Sequence, residues 1–451
     1  MDYILCFLIR IFVAASRWSK ALARFGLGSY EEWSHGQPVK LLMVGYNGAR
    51  NTGADARVAA AVQQIRELFG VDDVRITVLT LNEEVLNGYF DDDVSLLKIS
   101  SIFLKDLYRA CSTHHAAVLC EGSTLKSTFA NALSLFFCEA AGIMSRQQKP
   151  CITFGSEVGY MDAYLKKFAG VMCKDTYFIT RTHESQIILD EMGISGHVGT
   201  DTAWLYDDEI SPSEAEELLR KQGWDGEKPL LGVAVINPFC WPVRASLHKW
   251  IRGMLTGKMQ GQYDKWYFYS DSPERREAYI HYIDQIARAV DQFCREHDLF
   301  PVLLGMEKMD AGPVGDLRQK LGGAGAVFLS GDCSADIMTG ILRKLSVLVT
   351  SRYHAAVLSM ANGCPIIAVS MDERLDSLMK ENNLNSVFLH HVRDEDLRHG
   401  VLKSLTEGLL HKSELKEYLQ KRHLAYQEKQ REMGVFLKQY IMGRLDNRGQ
   451  N

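Results

Sequence analysis

A repeated local plan constrains this chain more than any single residue does: an apolar run, a polar or glycine-rich loop, a helical stretch, then another apolar run. The segment LSVLVTSRYHAAVLSMANGCPIIAVS (345–370) shows the plan whole. Leu345–Val349 has the length and apolarity of a buried strand, and Ala355–Ala361 reads as a small-residue helix stopped by Asn362-Gly363. Cys364–Val369 reads as the next strand. Strand, helix, strand is a βαβ unit, and successive units build a mostly parallel sheet with helices on both faces. In such sheets ligands sit beyond the carboxyl ends of the strands, where helix N-termini offer free N–H groups. Ser351–His354 occupies that position.

The plan recurs along the chain. Lys40–Gly45 leads into a glycine-rich loop and a long helix, and Ala116–Cys120 into a second loop and helix. KPCITFGSEVG (149–159) holds a third strand with a polar loop at its end, and Asp175–Ile194 a fourth strand and helix. A polar stretch, 206–229, separates this half from a second that restarts at Leu230. The second half continues through KWYFYSDS (265–272), FPVLLG (300–305), AVFLSG (326–331) and the segment quoted above. The expected fold is α/β: two Rossmann-like domains, 37–206 and 226–390, facing a cleft in a GT-B-like arrangement. An N-terminal amphipathic helix within 1–36 precedes them, and a charged helical segment, 391–451, follows and can cross back.

Charge and cysteine usage narrow the function class. A net charge of −5 leaves no nucleic-acid footprint. The ten cysteines form no C-x-x-C pair and fall mostly beside apolar runs, which reads as buried reduced thiols in a cytoplasmic protein. No metal constellation is visible, and His114-His115 is expected at the surface. The first 24 residues are the exception to this ordinary composition. Apolar residues from Tyr3 to Ala15 are broken by Arg10 and followed by Arg17, Trp18, Lys20 and Arg24. The run is shorter than the roughly 20 residues that span a bilayer. Its charges follow the apolar part, unlike those of a signal peptide. Two readings stay open: peripheral contact of residues 3–24 with a membrane, or a helix packed on the protein's own surface or on a partner copy.

Four predicted strand ends are richer in polar residues than turns require. Tyr46–Asp55 contains Asn51, Gly53 and Asp55, with glycines that allow close backbone approach to a ligand. It lacks the G-x-G-x-x-G and Walker spacings, so neither NAD nor ATP follows. Glu121–Lys126 places a carboxylate at an apolar strand end, where it either serves the site, caps a helix or pairs with Lys126. Gly155–Gly159 repeats the pattern with Glu157. Thr180–Ser185 presents Arg181 in the same setting as Arg352. Two arginines from opposite domains suit a small anion with more than one charged group, because the guanidinium fork matches phosphate and carboxylate. Alternatively, either arginine forms a salt bridge with Asp201, Glu121 or Glu157. His354 could exchange a proton near neutral pH or act as a structural donor.

Taken together, these loops resemble the polysaccharide pyruvyl transferase family, from about Lys40 to Leu378. The family's Gly-Asn-x-Gly-Asp/Glu loop is similar to Arg50–Asp55, with Arg50 in place of the glycine. Its glycine-rich strand end is similar to Glu121-Gly122-Ser123, and its Arg-Asp-x-x-Ser motif to Arg181–Ser185, with Thr182 for the aspartate. Its Asp-Pro-Ala resembles Asp201-Thr202-Ala203. Its Arg-x-His, alanine-rich helix and Gly-x-Pro turn resemble Arg352-Tyr353-His354 and Gly363-Cys364-Pro365. The resemblance implies transfer of pyruvate from phosphoenolpyruvate to sugar hydroxyls as a ketal, with no cofactor beyond that donor. It implies that Arg352 and Arg181 bind the donor, with Ser351, Asn51 and Gly53 beside them, and that His354 assists proton or phosphate transfer. Glu121 and Glu157 are further catalytic candidates, and Asp55, Lys126 and Asp201 complete the set. The acceptor would be a saccharide or a lipid-linked glycan, met in the cytoplasm or at the cytosolic face of a membrane.

Two rivals remain at this stage. A nucleotide-sugar glycosyltransferase uses the same architecture, and Asp372-Glu373 could serve a nucleotide ribose. A non-catalytic member in glycan assembly is the other, motivated by the departures at Arg50, Glu121 and Thr182.

Overall fold

The computed structural model describes residues 2–86, 88–100, 102–128, 131–207, 210–241, 244–245, 267–268 and 270–449. The first sheet contains β1 (Val39–Val44), β2 (Val74–Thr80), β3 (Ser95–Lys98), β4 (Ala116–Leu119), β5 (Ser123–Leu125), β6 (Cys151–Val158), β7 (Tyr177–Thr180) and β8 (Gly196–Val198). Its order is β3-β2-β1-β4-β6-β7-β8, with β5 added beside β6. The neighbouring strands pair in parallel. Leu41, Leu42, Met43 and Val44 are all fully buried, as expected for a strand covered by helices on both faces.

The second half holds β9 (Leu230–Ala234), a short antiparallel pair formed by β10 (Arg244–Ala245) and β11 (Tyr267–Phe268), then β12 (Phe300–Gly305), β13 (Ala326–Leu329), β14 (Val347–Thr350), β15 (Ile366–Ser370) and β16 (Leu389–His391). The rest of the strand expected in KWYFYSDS lies largely outside the described residues. The second sheet runs β13-β12-β9-β14-β15-β16, all parallel. In both sheets the first strand lies beside the fourth, so the winding reverses at β1/β4 and at β9/β14. Ligand crevices form at such reversals because the flanking loops diverge to opposite faces.

Helices outside the two domains tie them together. The polar stretch after Tyr206 folds into helix Pro212–Lys221, capped by Ser211 Oγ accepting from Glu214 N at 3.1 Å. Its Ala215 and Leu219 join the second core. The last helix, Lys412–Gly449, crosses back to the first domain. Leu437, Ile441 and Leu445 enter the core around β1. Gln430 Nε2 donates to Thr202 O at 2.9 Å and its carbonyl accepts from Gln64 at 2.8 Å. Upstream, Trp204 stacks on Tyr426 with ring centres 4.3 Å apart.

Three expectations need correction. Gly155–Gly159 is not a loop at a strand end: β6 runs through Val158, because β5 supplies a partner for residues 157 and 158. Glu157 is therefore a fully buried strand residue. Ser123–Leu125, read as loop, is that partner strand. His114 and His115 are not at the surface but buried, the first against Ala110 O at 2.7 Å and the second accepting from Lys40 N at 3.0 Å. Burial lowers the His115 imidazole to about 4, so it serves as a neutral acceptor.

Candidate functional site

The carboxyl ends of both sheets meet around a cavity of about 70 Å³. Its walls include Tyr46, Asn51 and Gly53 after β1, Glu121–Ser123 after β4, and Arg181 after β7. The second domain adds Met306, Arg352–His354 after β14, and Arg374 after β15. Helix Thr52–Phe69 (α3 below, counting Asp2–Ser16 as α1 and Ser19–Arg24 as α2) contributes Arg57. A larger groove of about 1130 Å³ lies elsewhere, between α3, helix Pro212–Lys221 and the last helix, and shares none of these residues.

The loop after β1 reaches across to the second domain. Arg50 adopts φ +56°, a left-handed conformation that favours glycine. This is the position where the resemblance places a glycine, and a left-handed backbone is one that glycine adopts without strain. The Arg50 carbonyl accepts from Lys308 N at 3.0 Å and Ser330 Oγ at 2.7 Å. Thr52 N donates to Met306 O at 2.9 Å. Asn51 caps α3, its side chain accepting from Ala54 N at 3.2 Å. Gly53 then packs directly beneath the His354 ring: a β-carbon there would lie 2.0 Å from Nδ1.

Behind the cavity stands a buried network of charges. Arg181 forks onto Glu157 and donates from Nη1 to Asp201 at 2.8 Å. Arg57 reaches Asp201 at 3.3 Å, donates to Gly155 O at 2.8 Å, and lies 3.9 Å from Glu121. Lys126 bridges Glu157 at 2.8 Å and Glu373, from the other domain, at 2.7 Å. Desolvating so many charges is costly unless each is paired. Here the pairing fixes the guanidinium planes that face the cavity. Burial alone would raise the Glu157 carboxyl, but Arg181 and Lys126 outweigh it and bring it down to about 2. Asp201 is likewise held well below the usual carboxylate range, with Arg57 foremost in overcoming its burial.

On the second domain, Arg352 forks onto Asp310 and lies 3.2 Å from Glu307. Arg374 clasps Asp372 in the same way. Tyr353 covers the Arg181 guanidinium, 4.7 Å from its ring centre. His354 Nε2 stands 3.5 Å from Asp201 Oδ2, at the outer limit of a hydrogen bond. Burial lowers the His354 imidazole below its ordinary value, with Asp201 opposing the shift. It is therefore neutral at pH 7 in this arrangement.

The structure gathers Asn51, Gly53, Glu121, Arg181, Arg352 and His354 around one space. Glu157, Asp201 and Lys126 stand behind it as partners of the wall residues. Glu121 does not pair with Lys126; it accepts from Tyr46 N at 3.1 Å and Gly122 N at 2.6 Å. Ser351 turns away from the space, with its hydroxyl 2.9 Å from Tyr282 Oη. Asp55 also lies outside the walls, and burial pushes its carboxyl up to about 7 despite nearby Arg50. Asp372 and Glu373, weighed for a nucleotide ribose, are engaged by Arg374 and Lys126. Arg57 and Arg374 were not singled out from the sequence. Arg57 carried a signal: it interrupts the small-residue stripe of Gly53, Ala54, Ala60 and Ala61 on α3, where an unpaired charge would be misplaced.

Residues 51–373 match the family model described as polysaccharide pyruvyl transferase. No curated protein matches the sequence. Among solved structures, a putative UDP-N-acetylglucosamine 2-epimerase from Listeria monocytogenes aligns with TM-score 0.53 and 12% identity, over 85% of this chain and 91% of its own. UDP-GlcNAc 2-epimerase from Neisseria meningitidis, bound to UDP-GlcNAc, aligns with TM-score 0.52 and 10% identity, over 84% and 94%. At such identities these likenesses show the two-domain α/β fold alone.

Proposed function

The chain belongs to the polysaccharide pyruvyl transferase family, and from that premise we propose that it transfers a pyruvyl group from phosphoenolpyruvate to sugar hydroxyls, forming a ketal. The observation that carries this reading is the convergence of Arg57, Arg181, Arg352, Arg374 and His354 on one small cavity at both sheet reversals. Phosphoenolpyruvate presents a phosphate and a carboxylate on a three-carbon frame, so cationic groups on opposing walls answer opposing ends of the molecule. The cavity is smaller than the roughly 300–1,000 Å³ of most small-molecule sites. Parting of the domains to admit donor and acceptor, followed by closure around them, would suit a cavity of this size.

Chemistry follows from what the walls hold. The donor's methylene carbon takes a proton, and positive charge develops at C2. A sugar hydroxyl forms its C–O bond to C2 and loses its proton. The C2–O bond to phosphate then breaks with its electron pair, and a second hydroxyl attacks C2, giving its proton to the departing phosphate, to close the ketal and leave inorganic phosphate. His354 is neutral before the donor arrives, and a phosphate dianion nearby favours the imidazolium, so donor binding would load the proton. Glu121, at the cavity wall with a partly exposed carboxylate, suits the base on the sugar hydroxyl. Glu157, Lys126 and Asp201 would position Arg181 and His354 and not touch the reacting atoms. The acceptor is a saccharide, and one carried on a lipid fits if the N-terminal helix brings the enzyme to a membrane.

Calorimetric titration with phosphoenolpyruvate and with UDP-sugars, beside Arg352→Ala, tests the reading. Binding of phosphoenolpyruvate that the substitution abolishes, followed by phosphate release with a saccharide acceptor, supports it. Binding of UDP-sugars without phosphoenolpyruvate overturns it in favour of glycosyl transfer, and binding of neither favours a non-catalytic member.

A further inference from the structure

We infer that the outer face of α1, continued by α2 and the turn after it, docks in the plane of an anionic lipid bilayer. Helix α1 is apolar on two opposite sides. One stripe, Cys6, Ile9 and Val13, is buried against the first core, where Val13 meets Gly142 of helix Asn131–Arg146. The opposite stripe, Tyr3, Ile4, Phe7, Leu8 and Ile11, is exposed, with Phe7 at 63% and Ile4 at 64%. Core packing explains the first stripe and not the second. Trp18, Phe25 and Leu27 extend the exposed set at 58%, 79% and 72%. Among the described residues, eight of the twenty exposed large apolar side chains fall within residues 1–27, a concentration along the chain that ordinary scatter does not produce.

Charge names the partner. Residues 1–27 carry Arg10, Arg17, Lys20 and Arg24 against the single acid Asp2, in a chain of net charge −5; Lys20 is paired with Glu32 at 2.6 Å, so the three arginines carry the charge argument. All four bases are exposed. Bases and a tryptophan beside an exposed apolar stripe are the composition of a helix lying at a lipid headgroup boundary. A second copy of the chain would set these bases against their own equivalents, because a two-fold contact places the same patch on both sides. No described helix is long and apolar enough to cross a membrane. The buried stripe further commits α1 to the protein on one side. The helix can therefore lie on the bilayer but not enter it end-on.

The test is co-sedimentation of the full chain with vesicles of phosphatidylcholine alone and mixed with phosphatidylglycerol. Binding to the mixed vesicles, weakened by salt, is expected. The double substitution Phe7→Ser with Ile11→Ser, at exposed positions that leave the helical circular dichroism unchanged, should lower partition about tenfold or more. Arg17→Glu with Arg24→Glu should remove the preference for the anionic lipid. No partition into either vesicle, or partition indifferent to the serine pair, overturns the inference. So does a dimer in sedimentation velocity that the serine pair dissolves while vesicles go unbound. Binding is read without turnover, so this outcome is independent of the transfer reaction.

Discussion

His354 rests on Gly53 so closely that a β-carbon at position 53 would fall 2.0 Å from the ring's Nδ1. The two residues come from different domains, and their contact leaves no room for a side chain between them. Gly53→Ala must therefore push His354 off its place or hold the domains apart. Displacements of about 1 Å at a reacting centre cost on the order of a hundredfold in rate. We expect kcat for phosphate release to fall by about that factor with little change in melting temperature. Unchanged kcat would remove His354 from the chemistry.

Arg352→Lys keeps a positive charge and loses the fork that grips Asp310 and faces the cavity. A point charge cannot replace bidentate recognition of a carboxylate or phosphate. The phosphoenolpyruvate dissociation constant should rise about tenfold to a hundredfold by calorimetry. An unchanged constant would place the donor's anionic groups elsewhere.

Glu373 is half-exposed and reaches across the cleft to Lys126, which Glu157 also holds. An ion pair with one exposed partner contributes little to stability, about 0–1 kcal/mol. Glu373→Ala should therefore leave the melting temperature nearly unchanged while releasing one clasp between the domains. Small-angle scattering of the donor-free protein should show a larger radius of gyration than wild type. Identical scattering would mean that other contacts alone hold the cleft shut.

Glu139 is buried in the first core with no hydrogen-bond partner among the described residues, and burial pushes its carboxyl up to about 9. The folded protein keeps this proton while the unfolded chain loses it near the ordinary 4.5. Between those values the unfolded state binds fewer protons, so stability falls as pH rises. The loss is complete once pH passes the folded value, with a slope of at most about 1.4 kcal/mol per unit. Glu139→Gln should flatten the decline in melting temperature between pH 5 and pH 8. Parallel declines in the two proteins would show that Glu139 is already solvated.

Much of the site was legible because βαβ logic is local. Arg352 and His354 follow an apolar run and precede a small-residue helix, and that alone places them at a strand's carboxyl end. Arg181 and Asn51 were found the same way. Arg57 is harder to read: it interrupts a small-residue stripe, but the acids that pair it, Asp201 and Glu121, lie far off in the chain. Glu157 reads from the sequence as an acid in a loop, whereas β5 pairs with β6 there and Glu157 is buried between Arg181 and Lys126.

By itself, then, the sequence determined the alternation of strands and helices, the two-domain division and the loops that bear the site, since each depends on periodicity and turn chemistry within a few residues. Tertiary structure decided among the partners: Arg181 takes Glu157 and Asp201, two of the three acids the sequence offered. Arg352 meets Asp310 and Glu307 rather than Asp201, Glu121 or Glu157. Lys126 meets Glu157 and Glu373. One side of α1 is committed to the core, and the other is exposed. Long-range pairing of charges and faces depends on how the two sheets pack against each other, and no local pattern carries that information.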